Sequence, residues 1–216
     1  MNRRHFLAAA VRHASAASAV SAVAGLPTSR AFARKSLKIL LRSSWQTVNI
    51  GDIAHTPGML ALLEKHRPAD EVTLWPSPLS AEVEKLLTTR FPKLKIAKTK
   101  AEQDAALEAC DFFLHGSGPS PVGIKEVERA KAAGKPFGFG GITLTDGEIK
   151  THAATLAAAK FVFCRDTDSL KALQKSPVKG PKTGFGPDAT FALDLRDDAA
   201  ADKLLTEHKL EPGKFL

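Results

Sequence analysis

Cysteine is scarce in this 216-residue chain: there are two, Cys110 and Cys164. They make no C-x-x-C pair and no zinc-like cluster, so neither a dithiol redox motif nor a zinc finger is expected. Cys110 falls at the start of one predicted strand and Cys164 near the end of another. Opposite ends of parallel strands lie too far apart for disulfide geometry, which predicts two buried thiols. An uninterrupted apolar run of about 20 residues is also missing. Arg12 and His13 interrupt the one stretch that approaches it, so no membrane-spanning helix is expected. The basic run Lys93, Lys95, Lys98 and Lys100 has no interleaved aromatics on which bases would stack, and it reads as a solvated face. There is no internal repeat, no low-complexity linker beyond the first 33 residues, and no complete G-x-G-x-x-G loop after the first strand.

What is present is an ordinary globular composition, 44% apolar and 25% charged, in a length that suits one domain with a proper core or the larger part of two. The first 33 residues read differently from the rest. Arg3-Arg4 followed by His5, Phe6 and Leu7 resembles a twin-arginine export signal. An Ala/Ser/Val-rich stretch runs from Ala14 to Leu26, and Ala31–Ala33 has the small-x-small form of a cleavage site. The resemblance implies export of the folded protein through the twin-arginine translocase to the bacterial periplasm or cell envelope. Removing residues 1–33 leaves 183 residues with 27 basic and 23 acidic side chains, a net +4. That is too mild to argue for nucleic acid.

From Leu37 onward, short apolar runs alternate with helical patterns. Strands are predicted at 37–43, 71–76, 94–98, 111–116, 135–141 and 160–165. The helices between them include one opened by Thr56-Pro57 and ending near His66, one opened by Ser120-Pro121 and ending at Gly134, one over 146–159, and one capped by Asp166. Residues 176–188 read as a Pro/Gly-rich loop and 199–210 as a last helix. This alternation predicts an α/β fold, a Rossmann-like parallel sheet with helices on both faces. The final residues, 211–216, read as the start of a second domain that follows the domain of 34–210.

In such a sheet, ligands bind beyond the carboxyl ends of the strands. The loops there carry Asn49, Gly51 and Asp52; then His115, Gly116, Ser117 and Gly118; then Thr143, Thr145 and Asp146; then Arg165, Asp166 and Ser169. Asn49 and Asp52 also suit a turn that bonds to itself. Gly116–Ser120 resembles a phosphate cradle before a helix, without the full glycine spacing. Arg165 ends an apolar strand, where its desolvation calls for an anion. Asp166 is one candidate, but its place as a helix cap leaves Arg165 to hold a ligand carboxylate or phosphate.

Four stretches, in this order, resemble the polysaccharide pyruvyl transferase family: "VNIGDIAHTPGMLALL" with its N-x-G-D opening, "DFFLHGSGPSP", "FVFCRDTDSLKAL" with R-D-x-x-S, and "GPDATFAL". His115, Ser117 and Pro119 interrupt the glycine run that the family carries. The resemblance implies one half of a two-domain enzyme of glycosyltransferase-B shape. Such an enzyme moves the pyruvyl group of phosphoenolpyruvate onto a saccharide of a cell-envelope polysaccharide. Phosphoenolpyruvate is a donor substrate, and no cofactor or metal is implied. Arg165 becomes the contact to the donor's anionic groups. Asn49, Gly51 and Asp52 would line the cleft with His115–Gly118, Asp166 and Ser169. No residue is assigned the catalytic base. Two other readings stay open: an exported non-catalytic carbohydrate- or anion-binding module, and a nucleotide-sugar glycosyltransferase.

Overall fold

A computed structural model describes residues 35–211, 213 and 214. The export signal expected over residues 1–33 lies outside the described residues. Seven parallel strands form one sheet: β1 (Lys38–Arg42), β2 (Glu71–Leu74), β3 (Lys95–Ile96), β4 (Phe112–His115), β5 (Phe137–Ile142), β6 (Phe161–Cys164) and β7 (Lys182–Phe185). Their order is β3-β2-β1-β4-β5-β6-β7. The chain therefore builds outward from β1 in one direction and from β4 in the other. β1 and β4 pair with Arg42 opposite His115, and the order reverses between them. A sheet of this kind opens its ligand crevice at that reversal.

The strand sequences divide by face with a period of two. Leu40, Phe113, Phe139 and Val162 point into one core. There they meet Leu107 of α3 (Lys100–Ala109), Val127 and Ala130 of α4 (Ile124–Ala132), and Leu173 of α7 (Thr167–Lys175). Ile39, Leu41 and Leu114 point the other way, onto Met59 and Leu60 of α1 (Ile50–His66) and Val83 and Leu87 of α2 (Ala81–Arg90). Helices thus cover both faces, as the alternation predicts. Cys110 and Cys164 are both buried thiols.

Several boundaries differ from the sequence reading. Helix α1 starts at Ile50, not at Pro57. Asn49 is its cap, with the side chain accepting from the Asp52 N–H at 2.9 Å. Thr56 is inside the helix and its hydroxyl accepts from Gln46 Nε2 at 3.0 Å, so the Thr-Pro pair is a mid-helix feature. The Asn49 cap and the packing of the Ala54–Leu60 face outweigh the missing Pro57 N–H. Helix α4 begins at Ile124, because the Ser120 carbonyl is taken by the Val122 N–H at 2.7 Å and Gly123 turns the chain at φ +77°. The single helix expected over 146–159 is two, α5 (Asp146–Thr151) and α6 (Ala153–Ala158), divided at His152.

The largest correction is β7, which lies inside the stretch read as loop. Its residues, Lys-Thr-Gly-Phe, have no apolar run, but an edge strand needs only one backbone ladder. Lys182 N–H donates to the Lys160 carbonyl at 3.1 Å and Gly186 N–H to the Cys164 carbonyl at 2.9 Å. This strand delivers Asp188 to the carboxyl rim of the sheet. A short 3₁₀ turn, Ala189–Ala192, follows, and then α8 (Asp198–Glu207). Glu211–Lys214 closes a turn through the Lys214 N–H, and Pro212, Phe215 and Leu216 of the expected final strand lie outside the described residues.

Candidate functional site

The rim after β5, β6 and β7 carries a network around Arg165. Its backbone N–H donates to the Ile142 carbonyl at 3.0 Å, which ties it to the end of β5. The guanidinium is held twice: Nε donates to Thr143 Oγ1 at 2.8 Å and Nη1 to Asp188 Oδ2 at 2.6 Å. About a quarter of the side chain stays exposed, at 26%. Asp166 is not its partner. That carboxylate accepts from the Ser169 N–H at 2.7 Å, the Ser169 hydroxyl at 2.8 Å and the Thr143 hydroxyl at 3.2 Å. Burial acts to raise the Asp166 pKa, but these donors hold it below the ordinary value. Asp166 thus fixes α7 and orients Thr143, which fixes Arg165. The anion that the strand-end arginine requires is Asp188.

Asp188 joins a second group. His55, from the buried face of α1, brings Nδ1 to 2.9 Å from Asp188 Oδ1 and 2.7 Å from Ser117 Oγ. The Ala189 N–H donates to Ser117 Oγ at 3.1 Å and the Thr190 N–H to Asp188 Oδ1 at 3.0 Å. Burial would raise the Asp188 pKa, yet the His55 hydrogen bond, the Thr190 N–H and Arg165 hold it well below the usual carboxylate range. An ionised carboxylate only accepts, so His55 Nδ1 carries the proton that faces it. One carboxylate is therefore shared by an imidazole and a guanidinium.

The glycine at position 58 makes this approach possible. A Cβ there would stand 2.0 Å from the Ala189 carbonyl oxygen. Helix α1 and the turn after Asp188 pack backbone to backbone at that point.

A third polar group fills the crevice between β1 and β4. Arg42 Nη1 donates to the Ser43 carbonyl at 2.6 Å and to Ser77 Oγ at 2.8 Å. Gln46, fully buried, accepts from the Ser77 N–H at 2.8 Å and donates to Thr56 and the Ser44 carbonyl. Burial lowers the Arg42 pKa, and the nearby charge of Glu126 opposes that shift.

Of the residues that sequence reasoning assigned to the ligand, the structure gathers Ser117, Arg165, Asp166 and Ser169 into this linked network. Asn49, Gly51 and Asp52 form the cap and first turn of α1, Asn49 and Gly51 exposed and Asp52 half-buried. Asp52 there accepts from Asn49 Nδ2 and, at 3.3 Å, from Ser44 Oγ, so the turn bonds to itself. His115, Gly116 and Gly118 are buried. The His115 ring lies against Phe139 with Nδ1 2.7 Å from the Gly116 carbonyl and Nε2 2.6 Å from the Val122 carbonyl. Burial pulls its pKa down to about 4. A neutral ring donates to one of these carbonyls, and the role visible in the structure is to shape the β4 loop. Gly116 packs against Ser43, whose Oγ a Cβ would meet at 2.8 Å. His55 was missed: nothing but its spacing on the α1 core face marks it, and only the tertiary positions of Ser117 and Asp188 give it partners. Among the described residues, no group of three or more histidine, cysteine or acidic side chains is arranged to hold a metal ion.

Solved structures share the fold at low sequence identity. Anabaena HepE in complex with UDP-glucose matches with a TM-score of 0.51 and 10% identity over 80% of this chain and 50% of its own. The UDP-GlcNAc 2-epimerase of Neisseria meningitidis, bound to UDP-GlcNAc, gives 0.52 and 14% over 81% and 52%. Staphylococcus aureus MnaA with UDP gives 0.53 and 12% over 77% and 51%. The chain spans about half the length of each. No curated protein matches the sequence. Residues 49–214, from the α1 cap through Ser117, Arg165 and Asp188, match the family described as polysaccharide pyruvyl transferase, and the chain belongs to that family.

Proposed function

We propose that this chain holds the donor in a transfer of the pyruvyl group of phosphoenolpyruvate to a saccharide of a cell-envelope polysaccharide. The observation that carries this reading is the Arg165 guanidinium, fixed at the strand ends by Thr143 and Asp188 while part of it faces outward. A guanidinium set in this way suits the planar carboxylate and the phosphate of the donor. The transfer is a group exchange. Two saccharide hydroxyls bond to the carbon that bore phosphate, one hydroxyl proton goes to the methylene carbon, and the other leaves with phosphate. On this reading, twin-arginine export would deliver the protein to the envelope where the polysaccharide lies. Calorimetry with phosphoenolpyruvate tests the donor site. Arg165→Ala should weaken binding by about 10- to 100-fold, the effect of losing a charged hydrogen bond. Equal affinity in the two proteins would sink the assignment.

The structural neighbours favour a second reading, since those described above hold UDP or UDP-sugars. A nucleotide-sugar ligand would place a diphosphate rather than phosphoenolpyruvate on the same rim. Displacement of phosphoenolpyruvate by UDP at comparable concentration would support it; indifference to UDP would remove it.

A further inference from the structure

The basic run Lys93, Lys95, Lys98 and Lys100 stands apart from the Arg165 network. Three of its four ammonium groups are already matched: Lys95 donates to Glu71 at 2.9 Å, Lys98 to Glu84 at 2.9 Å and Lys100 to Asp104 at 2.8 Å. The exposed Lys93 side chain has no hydrogen bond or ion pair among the described residues. Lys93 lines a cavity of about 420 Å³ at the amino ends of β2 and β3, the end of the sheet opposite Arg165. That volume lies within the span of small-molecule sites, about 300–1,000 Å³. The walls are apolar: Leu60 and Leu63 of α1, Val72 of β2, and Phe91 and Leu94 from the turn between α2 and β3. Leu63, Val72 and Leu94 are only half-buried, so the cavity leaves apolar surface wet that an apolar guest would dry. The other charges of the rim are paired. Arg67 donates to Asp70 at 2.6 and 2.8 Å, and Arg90 donates to Glu64 at 2.9 Å, while Glu71 has Lys95.

We propose that this cavity binds a small apolar carboxylate, its chain or ring against Leu60, Leu63, Val72 and Leu94 and its head at Lys93. No serine, threonine, asparagine or glutamine lines the cavity, so a saccharide would desolvate its hydroxyls with little to bond. An uncharged apolar guest leaves Lys93 as it is, whereas a carboxylate adds a charge-assisted contact at the mouth. A dianionic phosphate head would also face Glu64 and Glu71 on the same rim, so a single negative charge fits best. The site shares no residue with the Arg165 network and stands independently of the pyruvyl transfer reading.

The experiment is a methyl-detected carbon-13 NMR titration of the full chain with octanoate, 1-octanol and octylammonium, which share one chain and differ in head charge, each kept below the concentration at which it aggregates. Octanoate should move the Leu63, Val72 and Leu94 methyl signals and leave in place those of Val162 and Leu173, in the core of the other sheet face. It should bind about two- to fivefold more tightly than 1-octanol, the effect of one exposed ion pair, with octylammonium the weakest. Lys93→Glu should reverse that order. Ala69→Trp, at an exposed position of the cavity wall, should weaken all three by about tenfold or more, with phosphoenolpyruvate affinity unchanged. No methyl shift with any guest, or shifts spread equally over both cores, would overturn the site. Equal affinity for octanoate and 1-octanol, or an order that Lys93→Glu leaves unchanged, would overturn the carboxylate assignment. Failure of phosphoenolpyruvate to bind, with the octanoate shifts intact, would remove the donor reading alone.

Discussion

At the scale of single residues, the centre of the site is a carboxylate that the fold keeps charged. Asp188 is shared by His55 and Arg165, and its folded pKa lies below the unfolded one. A depressed carboxylate stabilises the fold fully above its unfolded pKa of about 4, and that contribution is lost as pH falls toward the folded value. Asp188→Asn should therefore cost on the order of 2 kcal/mol near neutral pH, reduced from the figure for a fully buried pair because both partners keep some exposure. The gap between wild type and variant should narrow below about pH 4, which urea unfolding from pH 7 to pH 3 would show. His115 works in the same direction for a different reason. Its ring is sealed, with its folded pKa at about 4 against an unfolded value near 6.5. Between those values the unfolded chain takes up a proton that the folded chain does not. Acidification from pH 6.5 to pH 4 should then cost up to about 3 kcal/mol. His115→Gln should flatten that slope even though the variant starts less stable; an unchanged slope would show that His115 is not its source.

At the scale of elements, helix α1 and the turn after β7 determine whether the site exists at all. Asn49 starts the helix, and the helix presents His55 on its core face. Gly58, one turn further, touches the backbone of Ala189. Gly58→Ala forces those two backbones apart. It should cost about 1–3 kcal/mol as overpacking does, and it should also weaken phosphoenolpyruvate binding, because Asp188 moves with Ala189 and Arg165 loses a partner. Calorimetry and thermal unfolding on the same sample would separate the two effects. A stability loss with unchanged donor affinity would mean that Arg165 does not depend on Asp188. The cap residues illustrate how far local sequence reaches. Asp166 was legible as the cap of α7 from a short polar residue ahead of a helical pattern, and it caps it. Thr56-Pro57 carried the same kind of signal and was misleading, because Asn49 seven residues earlier had already opened the helix and core packing held Pro57 inside it.

At the scale of the whole molecule, the strand order reverses between β1 and β4, while Arg165 follows the end of β6. The alternation of apolar runs with helical spacing was enough to determine six of the strands and the two-sided α/β architecture, because burial of a parallel strand demands a continuous apolar run wherever it occurs. Local sequence also marked Arg165, since a charge ending such a run must find an anion. It did not reveal β7, whose stability comes from backbone bonds to β6 rather than from side chains of its own. It did not reveal Asp188 as the partner of Arg165, nor bring His55 beside Ser117. Those pairings join residues far apart in the chain. Their geometry comes from strand order and from how closely two backbones can pack, and no single stretch of sequence contains it.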